Sequence, residues 1–209
     1  TNQGISKFDP VKISFKNYNT ADGLQAQEFI RGSYLKTRSG ELFFGGVNGF
    51  NSFYPAEIQN NPYVPPVFIT NFWIYLDLIK PGGNSPLKSN ITETKQIVLP
   101  YHQNEFSFEF AALSYSQSFK NTYSYFLEGY DKMWHHSGTQ RRASYAKVPP
   151  GSYTFRVKAT NNDGVWNEKG TALKIIITPP WWQTWGAYAV YILAAIGLFY
   201  WYRQSLINR

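Results

Sequence analysis

The sequence predicts an all-β chain closed by one membrane-crossing helix. The end of a β-propeller comes first, then an immunoglobulin- or fibronectin-like β-sandwich, then the helix. Three observations lead there. A short motif near the N-terminus returns 45 residues later, period-2 alternation fills the middle, and the chain ends in a long uncharged run.

The returning motif is GISKFDP at residues 4–10 and GFNSFYP at residues 49–55. A period of that length is that of one propeller blade. Between the copies, Asp22-Gly23 is a turn signal. Strands are expected around residues 28–35 and 41–45, with residues 38–41 as the hairpin between them. Residues 1–60 therefore read as the end of one blade and one further blade. A single blade cannot bury its own faces, so a longer propeller is expected around it.

Residues 60–66, NNPYVPP, form a proline-rich boundary, and a sandwich is expected over residues 61–180. Residues 67–75 are a β-rich apolar run. Phe106, Phe108 and Phe110 alternate with Ser107 and Glu109, and Tyr123, Tyr125 and Leu127 with Ser124 and Phe126. Tyr153, Phe155, Val157 and Ala159 alternate with Thr154, Arg156 and Lys158, and Leu173, Ile175 and Ile177 close the series. Such alternation puts one face of each strand in a core. About seven strands are expected, with turns at Pro149-Pro150-Gly151 and Asp163-Gly164 and with Trp166 packing back.

Residues 175–202 contain no Asp, Glu, Lys or Arg. As a helix, residues 185–202 would span roughly 27 Å at about 1.5 Å per residue, close to a bilayer's hydrocarbon thickness. Trp181, Trp182 and Trp185 gather at one end and Tyr200, Trp201 and Tyr202 at the other, the pattern of two headgroup layers. The transmembrane helix is expected at residues 181–203, freed from the preceding strand by Pro179-Pro180. Arg203 and Arg209 follow on its far side.

Composition excludes several functions. There is no cysteine, so there is no disulfide, thiolate metal site or thiol nucleophile. The net charge is +7, but the 20 basic residues are scattered and form no concentrated face, so nucleic acid contact is not expected. His102, His135 and His136 lack metalloprotease spacing, and no glycine-rich phosphate loop precedes a helix. Asp9, Asp22, Glu28, Glu41 and Glu57 are too scattered to read as a glycosidase pair. No catalytic residue, metal or cofactor is expected.

The run NEFSFEFAALSYSQSFKNTYSYFLEGYDKMW, then RASYAKVPPGSYTFRVKATNNDGVWNE and PPWWQTW, resembles the Y_Y_Y domain of hybrid two-component sensors over residues 65–180. GELFFGGVNGFNSFYP upstream resembles the repeat of that family's periplasmic propeller. The resemblance implies residues 1–180 in the periplasm, an inner-membrane helix with Arg203 and Arg209 inside, residues 204–209 as the start of the cytoplasmic segment, and a cytoplasmic histidine kinase beyond Arg209. It also implies an oligosaccharide ligand and a homodimer. A membrane-anchored carbohydrate-binding or adhesion protein without signalling is the alternative.

Ligand contact is expected at the aromatic and cationic residues Trp134, His135, Arg141 and Arg142, which suit stacking on a sugar or meeting a carboxylate. Signal relay is expected through Pro179, Pro180, Trp181 and Trp182. A ligand moves such a relay only by differing in affinity for its two states.

Overall fold

The computed structural model describes residues 3–11 and 13–207, so Arg209 and the end of the expected cytoplasmic segment lie outside the described residues. The chain divides into two compact units, Thr1–Asn61 and Pro62–Arg209.

In the first unit, β1 (Ile5–Asp9) and β2 (Ser14–Tyr18) form an antiparallel hairpin. β3 (Phe29–Lys36), β4 (Leu42–Gly46) and β5 (Gly49–Phe53) form a three-stranded antiparallel meander of the kind that makes a blade. The repeated motif supplies β1 in one copy and β5 in the other. Each copy opens on a glycine in the left-handed region, Gly4 at φ +90° and Gly49 at φ +120°. At Gly4 a Cβ would stand 1.9 Å from the Tyr18 carbonyl oxygen, so no other residue fits. Asp22 is spent on structure, because its carboxylate accepts from the Asn19 backbone N–H at 2.8 Å and closes a capping box. Ala26 is the one buried apolar residue among those described in this unit, while Phe15 and Phe50 stay more than half exposed.

The second unit is a two-sheet sandwich. One sheet runs in the order β11 (His135–Gly138), β10 (Tyr123–Glu128), β13 (Gly151–Ala159), β14 (Thr171–Thr178), β8 (Gln96–Pro100). The other runs β12 (Arg142–Tyr145), β9 (Phe106–Ala112), β6 (Val67–Ile74), β7 (Asp77–Leu78). All pairings are antiparallel except β14 with β8, which is parallel. Alternation assigned the inward faces well: Phe106, Phe108, Phe110, Leu127, Phe155 and Ile175 are fully buried. Phe108 joins the sheets, its ring 5.1 Å from Phe72 and 4.6 Å from Phe155.

Nine strands replace the seven or so expected. The added ones are short or at edges. β7 has two residues, and in β8 the exposed Val98 blurs the alternation of Ile97 with Leu99. The proline-rich segment is pinned to the sandwich from Tyr63 onward. Asn161 Nδ2 donates to the Tyr63 carbonyl at 2.8 Å, Asn167 Nδ2 to that of Pro65 at 2.8 Å, and the Thr171 hydroxyl to that of Val67. The turn after β13 forms as expected around Gly164, closed by a bridge between Thr160 and Trp166.

The helix, α1 (Trp185–Ile207), starts four residues later than the sequence reading placed it and runs beyond residue 203. Pro180 is extended (φ −64°, ψ 152°), Trp181–Gln183 make a 3-10 turn, and Thr184 returns to extended backbone (φ −89°, ψ 156°). Thr184 then caps the helix, its hydroxyl accepting from the Ala187 N–H at 3.4 Å. At 23 residues α1 is about 35 Å long, apolar on every side, and buries none of its residues within the protein. It is long and apolar enough to cross a membrane.

Candidate functional site

The four residues expected to meet ligand are divided between two surfaces. β11 belongs to the five-stranded sheet and β12 to the four-stranded one, so the short crossover between them carries Trp134 and His135 away from Arg142.

Trp134 lies on the outer face of the five-stranded sheet, because it stacks on Phe126, whose neighbours Tyr125 and Leu127 turn inward. The ring centroids are 5.6 Å apart. Lys158 Nζ stands 4.8 Å from the Trp134 ring centre and 5.1 Å from that of Trp166, and pairs with Glu168 at 2.8 Å. The cation thus bridges two indoles, an attractive arrangement for a ring quadrupole. His136 hydrogen-bonds Ser124 Oγ on the same face at 2.7 Å.

His135 points the other way, into a seam at the sandwich edge. Its Nε2 is 3.1 Å from Asp131 Oδ1, and its ring stacks on Tyr125 at 5.2 Å. Asp131 is the hub of this seam and only 7% exposed. Its Oδ2 accepts from the Leu127 N–H at 2.7 Å and from the Tyr145 hydroxyl at 2.8 Å. Leu127 is in one sheet and Tyr145 in the other, so a single carboxylate ties both. Burial, then the hydrogen bond to Asp131, pushes the Tyr145 hydroxyl far above its ordinary range. Burial, then the Asp131 charge, raises Tyr125 as well.

Arg142 lies on the outer face of the four-stranded sheet. Its guanidinium sits 4.6 Å from the Trp73 ring centre and donates to Ser107 Oγ at 3.3 Å, and Ser107 Oγ donates to Ser144 Oγ at 3.0 Å. One rung along, Asn71 Nδ2 donates to Glu109 at 2.7 Å. Arg141 is exposed beside this shelf, its carbonyl accepting from the Phe110 N–H at 2.9 Å.

The residues expected to relay the signal, Pro179, Pro180, Trp181 and Trp182, lie between the end of β14 and the start of α1. Pro180 is buried, and Trp182 packs edge-on against Tyr101 at 5.2 Å, just after β8. The Tyr191 hydroxyl of α1 donates to the Trp182 carbonyl at 3.3 Å. The Tyr75 hydroxyl, at the β6–β7 turn, donates to the His102 carbonyl, bringing the second sheet to the same junction. Sequence reading missed Trp73, Asp131, Tyr101 and Tyr75. Each acts through a cross-strand or loop partner far along the chain, which local pattern does not reveal. No cluster of three His, Asp or Glu residues suited to a metal occurs among the described residues.

A β-sandwich that hands its last strand to a membrane-length helix has the make-up of a membrane-anchored ectodomain. The comparisons make the class specific. Residues 114–178 match the Y_Y_Y domain, which therefore lies within the sandwich. Over 194 residues the chain is 35% identical to Histidine kinase P4 of Formosa agariphila, covering 92% of this chain and 14% of that protein. A crystal structure of an extracellular domain assigned to the hybrid two-component system BT3049 of B. thetaiotaomicron superposes with a TM-score of 0.65 at 32% identity. That match covers 86% of this chain and 24% of the other. The extracellular domain of the BT4673 system of B. thetaiotaomicron matches at a TM-score of 0.53 and 28% identity, over 86% and 23%. The chain thus spans a small part of each relative and resembles the extracellular region of two-component systems.

Proposed function

We propose that this chain is the ligand-sensing and relay region of a membrane-bound hybrid two-component histidine kinase. Residues 1–60 close a β-propeller, residues 61–180 are the relay sandwich, and the helix carries the signal across the inner membrane from the periplasm. The observation that carries this reading is the junction. β14 runs through Pro179-Pro180 into the Trp181–Gln183 turn, with Trp182 fixed on Tyr101 and bonded to α1, so a movement of the sandwich reaches the helix.

In this reading the ligand is an oligosaccharide and the working unit a homodimer, as the resemblance to hybrid two-component sensors implies. Within the sandwich, the Arg142–Trp73 shelf beside Arg141 offers guanidinium donors and an indole edge to a sugar. Trp134 has Phe126 and Lys158 against its ring, and His135 is engaged by Asp131, so these two supply a supporting surface.

The test is sedimentation of residues 60–180, alone and joined to the full propeller, with a panel of oligosaccharides. A sugar-dependent change in dimer population or shape supports the relay. A sandwich that stays monomeric and indifferent throughout is a passive spacer, and a membrane-anchored binding protein then explains the chain better.

A further inference from the structure

We infer that the base of the sandwich is itself a membrane-contact surface, seated on the headgroup layer beside α1; this rests on the reading of α1 as a transmembrane helix. Strand register defines the base. Pro100 of β8 pairs with Thr178 of β14, and Gly151 of β13 with Ile177, so the loops that follow β8 and precede β13 lie where the helix departs. Ile74 and Tyr145 both pair with Phe106, which places the β6–β7 turn there too. β10 ends at Glu128 opposite Thr154, near the start of β13, so residues 129–134 hang from the same end.

Three of these loops present apolar tips. Leu76 is 92% exposed and Met133 71%, and Tyr101 is partly exposed where it meets Trp182, three residues before the helix begins. A leucine and a methionine at the tips of separate loops have no packing role in the sandwich. With Trp181 and Trp182 they match the apolar and aromatic mixture that suits the headgroup–acyl boundary. Lys132 and Lys147 at this end are offset by Asp77 and Glu105, so the attraction is apolar and does not need anionic lipid. The surface is continuous with the helix entry, which fixes a bilayer as its occupant.

The chain has no cysteine, so single spin labels are unambiguous. The full chain would be reconstituted in phosphatidylcholine nanodiscs with labels at Leu76→Cys, Met133→Cys, Leu193→Cys in α1, or Tyr115→Cys, a 90% exposed position at the opposite end. Contact with lipid predicts that labels at positions 76 and 133 show a several-fold drop in collisions with a water-soluble nickel complex relative to position 115. That protection should persist in high salt. Nickel access at 76 and 133 equal to that at 115, with 193 protected, overturns the docking and leaves the helix reading intact. Nickel access at 193 removes the helix reading and the docking with it. Spin–spin broadening at 76 that disappears on dilution with unlabelled protein shows a second copy covering the surface, and also overturns it.

Discussion

Asp131 shows how much rests on one carboxylate in this sandwich. It is nearly buried and holds the Leu127 N–H, the Tyr145 hydroxyl and His135, so it ties the two sheets at the edge where the chain crosses between them. Asp131→Ala should lower unfolding stability by about 2–4 kcal/mol, because it strands a buried N–H and a buried hydroxyl. Asp131→Asn, which keeps an acceptor, should cost less; urea unfolding of the two variants checks the order. Tyr145 adds a pH signature. The folded state keeps its hydroxyl proton well above pH 10, where an unfolded tyrosine loses it. Stability from this group is therefore complete below about pH 10 and falls as pH rises further, by at most ~1.4 kcal/mol per pH unit. Tyr125 works in the same direction. Urea midpoints from about pH 8 to 11 should fall at the alkaline end, and more gently in Tyr145→Phe.

What the sequence disclosed varies with how local the cause is. The inward faces of β9, β10, β13 and β14 were legible because alternation is a property of adjacent residues, and each assigned core residue there except the half-buried Tyr125 is buried. Phe108→Ala should cost about 3–5 kcal/mol, measurable by denaturant unfolding, since it removes the ring that meets both Phe72 and Phe155. The helix was legible from its missing charges, but its start was not. Two prolines signalled a break, whereas the Trp181–Gln183 turn and the Thr184 cap depend on backbone angles the sequence does not display. The ligand cluster was the least legible. Trp134 and Arg142 are eight positions apart, yet the crossover from β11 to β12 puts them on different sheets. Replacing Pro179-Pro180 by Gly-Ser should uncouple ligand from kinase output in a complete receptor while leaving ligand affinity unchanged. Phosphorylation measured beside binding tests this, and unchanged signalling would show that the junction is no rigid link.

The two units carry different amounts of their own stability. The sandwich has a continuous aromatic core, while the blade-like unit exposes Phe8, Phe15, Tyr34 and Phe50 and buries almost no apolar side chain. That contrast is what a blade stacked against further blades would show, and it supports the propeller part of the proposal. The receptor proposed here senses with one body and relays with another, and the relay is the part this chain displays most fully. Its most direct test uses the full chain in bilayers with a spin label at Gly186→Cys, where a side chain meets open space at the start of α1. A sandwich pair that positions a helix pair predicts a narrow inter-copy distance distribution, broadened when Pro179-Pro180 becomes Gly-Ser. No coupling between copies, or a distribution the substitution leaves unchanged, would contradict it.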